Sequence, residues 1–195
     1  MPKPRVEVLR NPRVSVSTIN QSQPYMAKST SRKKVQEIPL IGEVDDWEED
    51  VIKTILDLPH GSECVLHIDS GGGSVYGALA VTTLIRQRQL RCSAVVLGEC
   101  SSATLLIFAA CQKRIVTRYS TFLFHRMRWQ SDKRVGAQEA SHWAKHFEEM
   151  ERELDVLQEK LLGGAADQVR DWVRGSQYVT GPQMVEAGLA ELLEI

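Results

Sequence analysis

The sequence lacks long apolar runs and lacks the apolar core of a secretory signal. No stretch of its 195 residues approaches the roughly 18 apolar residues that a membrane-spanning helix needs, so we expect no membrane association. The first residues, Met1 to Arg13, are polar and basic. A signal peptide would carry an apolar segment at this place, so we expect a cytoplasmic protein.

Cysteines are few, and none is arranged to bind a metal or to crosslink the fold. Cys64, Cys92, Cys100 and Cys111 lie in or beside apolar runs, with no CxxC pair and no Cys/His ligand spacing. A disulfide scaffold is not expected for so few cysteines in a chain of this size. We therefore expect reduced thiols that pack as small hydrophobic side chains, and neither a metal nor another cofactor.

Net charge is close to zero, but it is unevenly distributed. The formal charge is −1, and residues 1–34 hold eight lysines and arginines against the single acid Glu7. The remainder of the chain is therefore acidic, which argues against nucleic-acid binding. Residues 1–34 also contain four prolines and little hydrophobic periodicity. They are predicted to form a flexible basic arm or a propeptide.

What the sequence does contain is a regular alternation of strand and helix patterns after residue 34. Short apolar runs predict strands at 38–41, 65–68, 93–97, 115–117 and 121–124. Helical patterns lie between and before them at 47–52, 74–87 and 102–111, the last one apolar enough to be buried. Strands that alternate with helices predict an α/β fold of βαβ units around a largely parallel sheet.

A long helix is predicted over residues 141–162. Its apolar residues follow one another at intervals of four and three along one face: Trp143, Phe147, Met150, Leu154, Leu157 and Leu161. A helix of about six turns is long for a domain of this size. Two interpretations stay open, because this seam can pack on the protein's own core or can meet a partner subunit.

Two loops that join a strand to a helix hold candidate functional residues. The loop Asp69–Ser74 contains three consecutive glycines, which let the backbone approach a ligand closely. A tight turn, an oxyanion site and a phosphate-binding loop remain open for it, although the lysine of a phosphate-binding motif is missing. In the second loop Ser102 stands at the start of a helix, where a serine is a helix cap or a nucleophile. The neighbouring Ser101 is a second candidate nucleophile.

His125 follows the apolar strand 121–124 and is the candidate base. A lone histidine at a strand end is usually structural, but a nucleophilic serine needs a base within hydrogen-bond reach and donors for an oxyanion. The glycine loop, Ser102 and His125 together supply these groups. His142 and His146 are four residues apart on the long helix, but the glutamate of the zincin motif is missing there, which favours solvated side chains.

Five segments occur in the order found in one peptidase family. They are Ile38–Val44 (IPLIGEV), His67–Val75 (HIDSGGGSV), Gly98–Ala110 (GECSSATLLIFAA), Phe122–His125 and Tyr178–Leu189 (YVTGPQMVEAGL). Over residues 35–195 the chain resembles the ClpP family, the proteolytic subunits of ATP-dependent Clp proteases. The resemblance implies the ClpP/crotonase fold, a superhelical βαβ core with a projecting handle helix, here about 141–162.

The resemblance also implies roles for individual residues. Ser102 matches the family's nucleophile and His125 matches its general base. The N–H groups of Gly73 and Ala103 match the donors of the oxyanion hole. The implied activity is that of a serine endopeptidase that hydrolyses peptide bonds of unfolded proteins inside a ring chamber.

The chain departs from the family pattern at the third position of the catalytic triad and after His125. An ungapped alignment places Trp172 where the family has an aspartate, and Asp171 beside it is the candidate for that role. Residues 126–133 are bulky and charged where the family has a glycine-rich strand that binds extended peptide.

Assembly and partners are implied by the resemblance alone. Family members stack two heptameric rings through their handle helices, which gives a homo-oligomeric tetradecamer, and a hexameric AAA+ ATPase supplies unfolded substrate. The sequence has no nucleotide-binding motif, so ATP dependence would come from that partner. Two alternatives stay open: a non-catalytic Clp-family ring subunit with an assembly or regulatory role, which Trp172 favours, and a crotonase-like acyl-CoA enzyme.

Overall fold

The computed structural model describes residues 35–131, 134–163 and 165–195, so the basic arm predicted over 1–34 lies outside the described residues. The described strands are β1 Gln36–Glu43, β2 Glu63–Gly72, β3 Arg91–Cys100, β4 Lys113–Val116, β5 Thr121–Leu123, β6 Tyr178–Thr180 and β7 Glu191–Leu192. The described helices are α1 Val44–Asp57, α2 Val75–Gln87, α3 Thr104–Ala110, α4 Ala137–Leu162, α5 Ala166–Gly175 and α6 Gly181–Glu186.

Parallel pairing arranges five strands in one sheet, in the order β1-β2-β3-β4-β7. Leu66 of β2 lies beside Ile38 of β1 on one side and beside Ala94 of β3 on the other. All three side chains are buried. β5 pairs with the end of β3 in parallel and with β6 in antiparallel orientation. The predicted α/β fold with a largely parallel sheet is confirmed.

Helix α3 lies within the core, with all seven of its residues buried. Its Phe108 contacts Phe122 of β5, with ring centroids 5.4 Å apart. The prediction of a buried helix here is confirmed, but the helix starts at Thr104 instead of Ser102. Ser102 has a φ of +56°, in the left-handed region that a right-handed helix excludes.

Helix α4 ends at the predicted residue and begins four residues earlier than predicted, at Ala137. Leu162 is its one fully buried residue. In the second half of the helix the seam packs against the core through Leu154, Leu157 and Leu161. In the first half the seam is half-buried, and there Trp143 and Phe147 pack against the ring of Trp129. The second half of the seam therefore packs on the protein's own core. For the first half, contact with a partner subunit stays an open interpretation.

All four cysteines are buried free thiols, which confirms the prediction that they pack as small hydrophobic side chains. Cys64 and Cys92 face each other across β2 and β3, which pair in register at these residues. Within the described ranges, no helix combines the length and the apolar character needed to cross a bilayer.

Candidate active site

The glycine loop after β2 lies directly against Ser102. Gly72 has a φ of +109°, and a Cβ atom on it would stand 2.6 Å from the Cβ of Ser102 and 3.1 Å from its Oγ. Such a contact excludes any side chain at this position, and the left-handed backbone is strained for any residue other than glycine. The sequence therefore needs a glycine here so that the loop and the serine can approach each other.

Buried hydroxyl groups hold this loop to the start of α3. The hydroxyls of Ser70 and Thr104 share a hydrogen bond of 2.9 Å. The N–H of Gly72 donates to Ser70 Oγ, and the N–H of Ser101 donates to the Ser70 carbonyl oxygen. Ser70 is 1% exposed. Buried polar groups of this kind are stable only when they are paired, so this network fixes the local backbone.

Carboxylates at the loop argue against its interpretation as a phosphate-binding site. Asp45 of α1 accepts a hydrogen bond from the N–H of Ser74 at 2.8 Å. Asp69 accepts one from the N–H of Glu99 at 2.9 Å. The N–H at the start of α2 is therefore already bonded to an anion, and a phosphate would meet a second negative charge. The tight turn and the oxyanion site remain.

Leu123, at the end of β5, connects the serine loop to the histidine. The N–H of Ser102 donates to the Leu123 carbonyl oxygen at 3.0 Å, and the N–H of Leu123 donates to Ser101 Oγ at 2.9 Å. His125 follows two residues later. Ser101 is 0% exposed, whereas Ser102 is partly exposed. Ser101 is thus a structural hydroxyl, and Ser102 is the one that a ligand can reach.

The ring of His125 is partly exposed and is oriented by the main chain. Its Nδ1 lies 2.6 Å from the carbonyl oxygen of Arg126. Because a carbonyl oxygen only accepts hydrogen bonds, Nδ1 carries the proton, and Nε2 of the neutral ring is left to accept one. The described hydrogen bonds include none between Ser102 Oγ and the His125 ring.

Ser102 and His125 line one cleft, which we call the Ser102 cleft. It is a small cleft that is partly open to solvent. Its apolar lining consists of Val75, Ala103, Leu105, Leu106, Phe124, Met127, Leu154 and Val173. Of the predicted site residues, Ser102, Ala103 and His125 line this cleft. Gly73 belongs to the loop beside it.

Asp171 does not line the Ser102 cleft. Its side chain is exposed on α5, whereas the next residue, Trp172, is 6% exposed. The Trp172 ring packs against Phe124, with centroids 5.1 Å apart. One residue corresponds to a rotation of about 100° on a helix, so burial of Trp172 directs Asp171 to solvent. The role of Asp171 as the third triad residue stays a prediction.

Three polar residues of the Ser102 cleft were not identified in the sequence. Glu151, Asp155 and Gln158 of α4 line it together with the apolar Leu154 of the same helix. Arg126 also lines the cleft and forms an ion pair with Glu151 at 3.0 Å. Intervals of four and three residues place these α4 side chains on one face of the helix, and this spacing is visible in the sequence. The sequence does not indicate what that face meets.

His142 and His146, the two histidines on α4, are not joined by further metal-ligand side chains among the described residues. His146 Nε2 lies 3.0 Å from the hydroxyl of Tyr76. In the part of the chain that the structure describes, no three His, Cys, Asp or Glu side chains are grouped as metal ligands. His146 thus has a partner on α2, and both histidines are exposed.

Comparison with known proteins gives the family of the chain. A family model described as Clp protease matches residues 22–193, which is most of the chain. Curated proteins give no match. The matched residues include the glycine loop, Ser102, His125 and the helices α3 and α4, which line the cleft. The chain therefore belongs to the Clp protease family.

Proposed function

We propose that this chain is a serine endopeptidase of the Clp type, with Ser102 as the nucleophile and His125 as the general base. The observation that carries the proposal is the shared cleft. Leu123 is hydrogen-bonded to the serine loop through both its N–H group and its carbonyl oxygen, and His125 follows two residues later in the chain. Both functional side chains line the same space as a result.

In the proposed reaction, Ser102 Oγ forms a bond to the carbonyl carbon of a peptide while His125 Nε2 takes the hydroxyl proton. The carbonyl oxygen becomes an oxyanion, for which we assign the N–H groups of Gly73 and Ala103 as donors. The C–N bond breaks as His125 gives the proton to the amine. Water, activated by His125, then releases the acyl group from Ser102. The N–H of Ala103 has no acceptor among the described residues, which supports its assignment.

The third catalytic group is either Asp171, as the family resemblance implies, or the main chain beside His125. The carbonyl oxygen of Arg126 fixes the tautomer of His125, a role that an aspartate has in serine proteases. A neutral carbonyl stabilises the imidazolium ion less than a carboxylate does, so we expect slower turnover than a complete triad would give. Asp171 is exposed and would have to move to replace this carbonyl.

Fluorophosphonate labelling with intact-mass detection tests the proposal. We expect one adduct on the wild-type protein and none on Ser102→Ala or His125→Ala. The control is His60→Ala, because His60 is an exposed histidine in the turn before β2; it should label like the wild type. No adduct on a folded wild-type protein would contradict the proposal.

One observation favours a second candidate function, that of a non-catalytic Clp-family subunit. Trp172 occupies the family's aspartate position and fills it with a buried ring. In a non-catalytic subunit His125 needs no acidic partner, and the cleft only binds peptide. Absence of labelling, together with ring formation, would support this candidate.

We also propose that the chain assembles into stacked heptameric rings and works with a hexameric AAA+ ATPase in the cytoplasm. The aromatic cluster that Trp129 forms with Trp143 and Phe147 of α4 supports a contact between subunits, since Trp129 is 44% exposed. Native mass spectrometry should give a heptamer or a tetradecamer. A monomer at micromolar concentration would contradict the assembly proposal.

A further inference from the structure

The wall of the Ser102 cleft that α4 provides is acidic. Glu151 and Asp155 lie one helical turn apart on the same face, and both line the cleft with Ser102 and His125. The remaining lining is mostly apolar. A ligand that reaches Ser102 therefore meets both carboxylate groups and apolar surface.

The charges in the cleft do not cancel. Glu151, whose side chain is 21% exposed, is paired with the Arg126 guanidinium at 3.0 Å. Asp155 is partly buried and has neither a hydrogen bond nor an ion pair with any described residue. Burial, and after it the charge of Glu151, raise the pKa of the Asp155 carboxyl above its ordinary value. The charges of Arg126 and Arg170 act in the opposite direction, but these arginines form their ion pairs with Glu151, Glu159 and Asp167. An ion pair with Asp155 is therefore left for a ligand to make.

We infer that the Ser102 cleft binds a lysine or arginine side chain, with Asp155 as the residue that selects it. The inference rests on the proposed function, because it concerns the substrate residue whose carbonyl carbon Ser102 attacks. The side chain of that residue lies nearest to the serine and so enters the cleft that contains it. The aliphatic stem of a basic residue packs on apolar surface while its charged end pairs with a carboxylate.

An aliphatic substrate side chain fits this cleft less well. It would cover Asp155 and exclude water without offering a partner, and a carboxylate left unpaired in this way destabilises the complex. An acidic side chain would meet like charge. A charge-assisted hydrogen bond is worth about a 10-fold to 100-fold difference in affinity, so the preference for a basic side chain is large enough to measure.

Binding to the Ser102→Ala variant tests the inference without the chemical step. Two fluorescent peptides are compared that differ only at one residue, lysine or its uncharged counterpart norleucine, followed by the same short sequence. We expect the lysine peptide to bind at least about 10-fold more tightly. Adding Asp155→Asn should bring this ratio close to one. The matched control is Glu148→Gln, which removes a negative charge from the same helix at an exposed residue outside the cleft and should keep the ratio.

The outcomes separate this inference from its alternatives. Equal binding of both peptides to Ser102→Ala, or no binding of either, would overturn it. An unchanged ratio in the Asp155→Asn variant would do so as well. One form of that unchanged ratio, an equal loss of affinity for both peptides with an unchanged circular dichroism spectrum, would overturn the inference and make Asp155 a residue that positions the cleft. Failure of the proposed function gives a different result, namely no fluorophosphonate adduct on the wild type, while the lysine preference of Ser102→Ala persists.

Discussion

A Cβ atom on Gly72 would stand 2.6 Å from the Cβ of Ser102. The backbone of the glycine loop and the serine are thus packed so closely that no side chain fits between them. Gly71, the preceding residue, has no neighbouring atom within 4 Å of such a Cβ. The two adjacent glycines therefore form a natural pair of test and control positions.

Gly72→Ala should destabilise the fold and abolish labelling of Ser102. The new methyl group must displace Ser102, and the positive φ of +109° adds backbone strain. We expect a loss of about 2–3 kcal/mol in the free energy of unfolding. Urea denaturation and fluorophosphonate labelling measure the two effects. Gly71→Ala should label at the wild-type rate, and a similar loss in both variants would contradict this account of Gly72.

Asp171→Asn should leave the labelling rate within about twofold of the wild type, since a group outside the cleft contributes little to orienting His125. The exposed side chain does not line the Ser102 cleft, and the Nδ1 proton of His125 is already bonded to the Arg126 carbonyl. If Asp171 does complete the triad, the rate should fall by a factor on the order of 10⁴. Asp167→Asn, on the exposed side of the same helix, is the control.

Asp155→Asn should make the protein more stable at neutral pH. The pKa of Asp155 is raised above its ordinary value of 3.8, first by burial and then by Glu151. The folded protein then holds this proton more tightly than the unfolded chain, so stability falls as pH rises through the interval between the two pKa values. Since Asp155 is only partly buried, the gain should be about 0.5 kcal/mol.

The stability gain should be absent near pH 3, where Asp155 is protonated in both states. Thermal unfolding of the wild type and the variant at pH 3 and pH 7 measures it. Glu148→Gln, on the same helix, should show no comparable gain at pH 7. A variant that is equally destabilised at both pH values would mean that the carboxylate makes a stabilising contact.

The cysteines should react slowly with thiol reagents in the folded protein. The hydrogen bond with Cys111, together with burial, raises the pKa of the Cys92 thiol to about 12. The hydrogen bond with Cys92, and then burial, raise the pKa of Cys64, and burial raises that of Cys100. The thiolate is the reactive form. Ellman's reagent at pH 8 should react with all four thiols only after unfolding, and rapid reaction of a folded sample would contradict this.

The buried elements could be predicted from the sequence because their signal is local. Apolar composition alone predicts the strands β2 and β3 and the buried helix α3, regardless of what these elements pack against. β6 has only three residues and no apolar alternation. It is a strand because β5 lies beside it. A pairing of residues so distant along the chain leaves no local pattern.

Residues of the candidate site could be predicted only where they come directly after a recognisable apolar strand. Ser102 and His125 follow apolar strands and emerge at their ends, so their roles could be inferred from position. Asp155 lies more than 50 residues from Ser102, on a helix most of whose charged residues are exposed. Its place in the cleft depends on how α4 crosses α3, and the sequence pattern of α4 does not contain that crossing.

Helix α4 is a single rod of 26 residues, roughly 39 Å long at 1.5 Å per residue. Its first half carries the half-exposed aromatic cluster, and its second half forms the acidic wall of the cleft. A hydrogen-bonded helix resists bending, so displacement of one half moves the other. Trp143 and Phe147 therefore belong to the same rigid element as Asp155, which lines the cleft beside Ser102. The substrate side of this subunit and its exposed aromatic surface share one structural support.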